Sequence, residues 1–326
     1  MTQEVLPGIF RIPVPLKGNP LKELNSYLIM GKDRNLLIDT GFRQESCREA
    51  LTAGLKELGA RREDTDVLLT HLHADHSGLA PEFVGADRNI YVSAPDHDYL
   101  DANTRKKLWG RADAIYLSAG FPRHLLDALT SSVPARSMAA PEYEGYRILA
   151  HGDVMEAGNY RLTATVTPGH TPGHLCYWME EQGVMFSGDH VLFDITPNIT
   201  AWVGVENSLG DYLDSLSAIR TYDVKLTLPG HRATGNFKAR IDELLRHHDA
   251  RLAECLAVVK RRQGMTVYEI ASHMTWKIRA DSWEAFPNNQ KWFAVGECMS
   301  HLDYLKAAGR VRLEHDGAVE HYFAAE

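Results

Sequence analysis

A chain of 326 residues with 44% hydrophobic and 24% charged side chains is long enough to bury a substantial core, and its length fits one large domain with a small one beside it. A net charge of −8 gives no general attraction to a phosphate backbone or an anionic membrane, so a nucleic-acid role would need a local basic patch. The opening Met1–Pro7 has no signal-peptide pattern, no run of about 18 apolar residues spans a bilayer, and Cys47, Cys176, Cys255 and Cys298 lie far apart without CxxC spacing; a cytoplasmic protein with neither a disulfide framework nor a thiolate metal site is expected.

In chain order, short β-rich runs come first. Ile9–Pro13, Ser26–Met30 and Asn35–Asp39, with Gly31-Lys32-Asp33 as a turn, read as an antiparallel sheet. The pattern from Glu45 to Leu58 is helical, and the buried strand Asp66–Thr70 runs straight into a histidine cluster. Further strands are predicted at Asn89–Val92, Arg161–Val166, Leu175–Trp178, Val184–Ser187 and Leu226–Leu228, a mixed α/β pattern. Residues 95–141 interrupt this rhythm with helical propensity and nearly balanced charge, and read as a cap beside the active site, an oligomer contact or a plain surface insertion.

A long amphipathic helix from Asn236 to Arg262 ends at Gln263-Gly264. Beyond it, Thr266-x-x-Glu269 is a capping box opening a short helix through Met274, and Asn289–Ala308 is a second helix. Two strands follow, Val311–Glu314 and Val319–Phe323, joined at Asp316-Gly317. Helix, helix and hairpin in that order look like a winged helix. The predicted boundaries are 1–240 for a catalytic domain, 241–262 for a connecting helix and 263–326 for the winged-helix-like domain.

The chemistry concentrates in Thr70-His71-Leu72-His73-Ala74-Asp75-His76-Ser77-Gly78, three imidazoles and a carboxylate within six positions after a strand. In an extended backbone alternate side chains face alike, so His71 and His73 can grip one ion, while the turn into the next helix re-aims Asp75 and His76 toward a second. Neutral imidazole and carboxylate suit zinc, and iron or manganese less selectively. One loop cannot complete two coordination shells. Three later strand ends offer further candidates: His170 and His174 in Thr167-Pro168-Gly169-His170-Thr171-Pro172-Gly173-His174, Asp189 after Gly188, and His231 after Gly230.

On these residues the chain resembles the metallo-β-lactamase superfamily, whose signature is HxHxDH followed by a distant His, a Gly-Asp and a final Gly-His; the likeness runs from about Val5 to Arg240. The resemblance implies a four-layer αβ/βα sandwich holding two divalent ions, with His71, His73 and His170 on the first, Asp75, His76 and His231 on the second, and Asp189 bridging both. Two such ions share a water and lower its pKa from about 15.7 toward about 7, making a hydroxide nucleophile that Asp75 and Asp189 orient. The resemblance also implies that His174 and Asp39 support the ligands by hydrogen bonding. His190, His247 and His248 read as surface or packing residues.

Differences from relatives narrow the choice. His73 stands where flavodiiron oxygen reductases carry Glu, and Asp189 and His76 stand where the best-known zinc β-lactamases carry Cys and Arg. Hydroxyacylglutathione hydrolase is similar through the whole ligand set, which implies cleavage of a thioester or related small ester, although its C-terminal glutathione-binding region is not evident here. The C-terminal winged helix resembles the group that includes a lactamase-like endoribonuclease, which keeps phosphodiesters, RNA among them, and lactones as alternatives. A winged-helix DNA-binding regulator is the reading from another class.

From Gln263 to Glu326, however, six basic residues meet nine acidic ones, a balance of −3 with no electrostatic footprint for nucleic acid. Trp276, Trp283, Trp292 and Phe293 then fit packing on the metal domain or on a second copy in a homodimer. Tyr116, Phe193, Asn198, Trp202 and Arg232 are candidate substrate contacts by their place in the chain, Arg232 for an anionic group.

Overall fold

The computed structural model describes residues 1–130, 138–278 and 280–325; part of the predicted insertion, 131–137, lies outside these described residues. Seven strands form the first sheet in sequence order: β1 (Gln3–Leu6), β2 (Ile9–Pro15), β3 (Glu23–Ile29), β4 (Asn35–Ile38), β5 (Thr65–Leu68), β6 (Ile90–Ser93) and β7 (Tyr146–Leu149). β2 to β4 are antiparallel, as the short runs predict, β1 adds an antiparallel edge strand that those runs do not include, and β4 to β7 are parallel. The second sheet has the order β12-β11-β10-β9-β8, from β8 (Val154–Ala157), β9 (Tyr160–Val166), β10 (Leu175–Met179), β11 (Val184–Gly188) and β12 (Leu226–Pro229).

Alternation along the strands decides which sheet face meets which layer. Tyr27, Ile29, Leu36 and Ile38 of the first sheet pack against Leu175, Tyr177, Val184 and Phe186 of the second, forming the core between sheets. The residues between them face outward: Leu28 and Leu37 meet Leu51 and Leu55 of α1 (Glu45–Glu57), and Cys176 and Met185 meet Tyr212 and Leu216 of α7 (Ser208–Ile219). The result is helices, sheet, sheet, helices. The site loops leave the strand ends between these layers, with α2 (Ala74–Ser77) and α3 (Ala80–Phe83) following the histidine cluster.

The insertion is helical: α4 (Ala94–Leu100), α5 (Ala102–Ser118) and α6 (Arg123–Thr130). Its apolar side leans on the C-terminal elements, α8 (Phe237–Arg261), α9 (Val267–Ser272), α10 (Asn288–Ala307) and the hairpin β13 (Val311–Asp316) with β14 (Val319–Ala324). Thr266 and Glu269 make the predicted capping box. Residues of α5, α7, α8, α9 and α10 share one buried cluster, so among the described residues the C-terminal elements share their core with the helices that cover the second sheet. All four cysteines are buried and free, and no helix among the described residues is long and apolar enough to cross a membrane.

His248 on α8 and His301 on α10 are buried against each other. His301 Nδ1 donates to Glu297 O at 2.7 Å, so its Nε2 accepts from His248 Nδ1 at 3.3 Å, and His248 Nε2 is left buried without a partner. Burial, then the neighbouring His301, His247 and Arg251 charges, lowers His248 to about 2; burial lowers His301 to about 4 against its bond to Glu297. Unfolded, each titrates near 6.5. Between about pH 6.5 and 4 the unfolded chain therefore binds more protons, and stability falls with acid by about 1.4 kcal/mol per pH unit for each histidine. Urea unfolding from pH 7 to 4.5 is expected to show this slope, and His248→Leu to remove about one proton's share; an unchanged slope in the variant would refute the assignment.

Candidate metal centre

Each predicted metal-ligand imidazole except His73 has one nitrogen committed to the protein, and the commitment fixes which nitrogen points inward. His76 Nδ1 donates to Asp39 Oδ2 at 2.7 Å. His71 Nδ1 donates to Thr70 Oγ1 at 3.0 Å, and Thr70 passes its own proton to Asp39 Oδ2 at 2.7 Å. His170 Nδ1 donates to Asn198 O at 2.9 Å and His231 Nδ1 to Glu23 O at 2.7 Å. Asp39 is the organiser here: buried and in the left-handed region at φ 58°, it also accepts from Thr70 N at 2.9 Å.

The inward nitrogens converge in two groups. His73 Nδ1 lies 3.0 Å from His71 Nε2 and 3.1 Å from His170 Nε2. On the other side, His76 Nε2 and His231 Nε2 are 3.2 Å apart, and Asp75 Oδ2 is 3.4 Å from His231 Nε2. Asp189 lies between the groups: its carboxylate is 3.5 Å from both His76 Nε2 and His231 Nε2 and 3.9 Å from His170 Nε2. Within each of the sets His71–His73–His170, His71–His76–Asp189 and Asp75–His76–His231 the ligand atoms fall within 4.8 Å of one another.

This arrangement fits a pair of cations. Ring nitrogens whose protons are used elsewhere face each other as lone pairs, and buried Asp189 Oδ1 has no hydrogen-bond partner. Burial holds His71 and His170 below their ordinary values and His73 at about 3, the neutral form that binds metal. For His76 and His231 burial is outweighed by carboxylates, Asp39 and Asp189 for the first, Asp189 and Asp75 for the second, so this half of the site favours added positive charge. Burial also opposes ionisation of Asp75 and Asp189, yet bonds and charges from His231 and His76 hold both ionised, Asp75 at about 2. Oxygen and imidazole nitrogen donors without thiolate suit zinc, iron or manganese.

Behind the ligands stands a residue that the sequence patterns do not single out. Asp96 of α4 is fully buried and accepts from Leu72 N at 2.8 Å, Thr171 Oγ1 at 2.7 Å and Gly173 N at 2.7 Å. Burial pushes its carboxyl up to about 7 against the pull of these three bonds. One carboxylate thus ties the loop of His71 and His73 to the loop of His170. Its only legible signal is the helix start Ser93-Ala94-Pro95-Asp96, which reads as a cap. His174 sits in the same layer, its Nε2 accepting from Asp189 N at 3.2 Å and its Nδ1 facing Thr167 Oγ1 at 3.0 Å.

Gly169 shows how tightly the loop is seated. Its φ is 130°, and a Cβ there would meet Tyr212 Cβ at 2.3 Å and Tyr212 Cα at 2.5 Å. Gly169→Ala is expected to cost roughly 2–3 kcal/mol, read as a lower melting temperature; a variant melting with the wild type would contradict this seating.

The candidate substrate contacts separate. Trp202 lies over His73 with ring centroids 6.0 Å apart and planes at 30°, donates Nε1–H to His170 O at 3.2 Å, and carries Tyr99 edge-on at 5.1 Å. Asn198 meets the centre through its backbone carbonyl. Arg232, next to His231 and in the left-handed region at φ 66°, donates from one guanidinium nitrogen to Pro20 O at 3.0 Å, while its buried Nε has no hydrogen-bond partner. Phe193 packs at the edge of the helical core, near Gly235. Tyr116, expected near substrate, is instead buried with its ring stacked on Trp292 at 5.0 Å, because the insertion turns its apolar face to α10.

Known proteins match this chain along most of its length. The family model of the metallo-beta-lactamase superfamily matches residues 22–231. A metallo-beta-lactamase family protein of Thermus thermophilus has a similar crystal structure, with a TM-score of 0.82 at 29% identity over 98% of this chain and 100% of its own. A beta-lactamase domain protein from Burkholderia ambifaria is similar at a TM-score of 0.83 and 26% identity, over 99% and 94%. The lactamase-like protein adaB of Aspergillus niger is 25% identical over 338 residues, covering 90% of this chain and 88% of its own.

Proposed function

This chain belongs to the metallo-beta-lactamase superfamily of metal-dependent hydrolases, and we propose that it hydrolyses a thioester or related small ester, in the manner of hydroxyacylglutathione hydrolase, with two divalent ions, zinc foremost. The observation that carries the reading is Asp189, placed between two groups of inward-facing imidazoles with a buried oxygen left unpaired. On this reading His71, His73 and His170 hold one ion, Asp75, His76 and His231 the other, and Asp189 both. Bound there, the ions supply a water acidic enough to ionise near neutral pH and a Lewis acid for the substrate oxygen.

The chain's own residues do the rest. Asp75 and Asp189 accept hydrogen bonds from the attacking water, Asp39 and Asn198 keep the imidazoles in their metal-binding tautomers, and Trp202 shields the His73 side from solvent. Among the described residues, the Nδ1–H groups of His71, His76, His170 and His231 face protein acceptors, so these four are poorly placed to protonate a departing group. That favours a leaving group stable as an anion. A thiolate, whose conjugate acid has a pKa of about 8.5, leaves without a proton far more readily than an alkoxide does.

Phosphodiesters, RNA first, and lactones are the second reading; the winged-helix order of the C-terminal elements favours the phosphodiesters among them. As a nucleic-acid reader, though, α10 is poorly equipped. Lys291 is buried with its ammonium on Glu284 O, and Lys306 pairs with Asp303. This also weighs against the DNA-binding regulator.

Thiol release from a panel of acyl-glutathione and acyl-CoA thioesters, with zinc- and manganese-loaded protein beside Asp189→Ala, tests the reading. Metal-dependent turnover that the variant loses is the expected result. No turnover above the variant would overturn the thioester assignment and bring phosphodiesters and lactones forward.

A further inference from the structure

We propose that α10 is a brace for one wall of the metal centre, with Ser300 and Gly296 as positioning residues that act through the loop after β11. From Val191 to Asn207 the chain has neither helix nor strand, so neighbours must impose its shape. On one side of this loop stands α10. Ser300, fully buried, places its hydroxyl 2.8 Å from Ile199 O and 2.8 Å from Glu297 O on its own helix, sharing one proton between the two carbonyls. At Gly296, about one turn earlier, a Cβ would lie 2.3 Å from Thr200 Oγ1 and 2.5 Å from Tyr116 Oη. Tyr116 is held, stacked on Trp292 and donating to Trp292 O at 3.2 Å; the Thr200 backbone is held by Ser208 Oγ, which donates to its carbonyl at 2.6 Å, while its buried Oγ1 has no hydrogen-bond partner.

On the other side of the loop stand the imidazoles. Asn198 O accepts from His170 Nδ1 at 2.9 Å, and Trp202 holds His170 O and covers His73. Within five residues, Asn198 to Trp202, the loop is thus pinned by α10 at Ile199 and Thr200 and presses on two candidate ligands at its ends. A shift of α10 by a few tenths of an ångström moves the acceptor that sets the His170 tautomer and the aromatic face beside His73. The C-terminal helix is therefore part of the catalytic site's construction. The inference rests on reading His73 and His170 as metal ligands, but the contact itself does not.

Limited proteolysis and zinc affinity, the latter by competition with a chelating dye, test this on the full chain. In Ser300→Ala and Gly296→Ala, chymotrypsin is expected to cut within the loop 191–207 about tenfold faster and zinc to bind about tenfold more weakly, as when other supports of metal ligands are lost. Leu305→Ala, which loosens the core side of the same helix further along, is expected to lower the melting temperature without either change. Should Gly296→Ala not fold, Ser300→Ala decides. Wild-type cleavage within 191–207 in a folded variant, or the same opening in Leu305→Ala, would overturn the brace. A wild-type protein that takes up no zinc would instead remove the metal reading, leaving the cleavage result to judge the brace by itself.

Discussion

Asp189→Ala is expected to cut turnover by more than about a hundredfold and to lower bound metal from two ions toward one or none. The scale follows from its position: residues that merely support a metal ligand are worth about 10- to 100-fold, and Asp189 reaches both imidazole groups itself. Loss of folding is checked separately, because His231 and His76 hold Asp189 ionised against burial, so its removal is expected to lower the melting temperature as well, and the rates are compared where melting shows the variant folded. Metal content by elemental analysis, thiol release and thermal melting on the same preparation check the three parts together. A variant that keeps both its metal and its rate would sink the assignment of Asp189, and with it the two-ion reading.

Asp96→Ala should act on the other quantity, stability, and should act even without metal. The substitution leaves Leu72 N–H, Gly173 N–H and the Thr171 hydroxyl without their acceptor in a site closed to water. An unsatisfied buried donor costs about 1–3 kcal/mol, so a total near 3 kcal/mol is expected after some relaxation, or a melting temperature lower by roughly 4–5 °C for a chain of this size. Because those donors belong to the loops of His71, His73 and His170, metal affinity should fall about 10- to 100-fold as well. Asp96→Asn keeps the shape but turns an NH2 toward a donor, and should fall between. Thermal melting with and without added zinc separates the two effects; an Asp96→Ala protein as stable as wild type would show that the loops hold each other without it.

Much of the architecture was legible. The strands that carry ligands were placed within a residue or two, because each is a short apolar run ending in Gly, Pro or a polar turn, and the Thr266–Glu269 capping box and the Asp316-Gly317 hairpin were readable from their local chemistry. The sequence reading has no helix at α7, although Asn207 caps it and Leu209, Tyr212, Leu216 and Ile219 repeat at helical spacing. β7 and β8 are harder: they are four-residue edge strands with exposed side chains at Ile148 and Val154, so neither length nor alternation marks them.

For the site, the sequence alone offered the residues chemically able to hold metal, with His71, His73, Asp75, His76, His170, His174, Asp189 and His231 following glycine-loosened strand ends, and the family resemblance chose His170 over His174. The sequence could not determine what supports them. The acceptors of His170 and His231 are backbone carbonyls of Asn198 and Glu23, groups that every residue has, and Asp96 meets Leu72 and Gly173 from 24 and 77 positions away. Tyr116 shows the same limit from the other side, an aromatic whose partner, Trp292, lies 176 positions along the chain. Ligand identity is a property of side-chain chemistry and local spacing, which a sequence carries; tautomer, tension and shielding depend on which distant backbone comes to rest beside a side chain, and only the packed sheets and helices decide that.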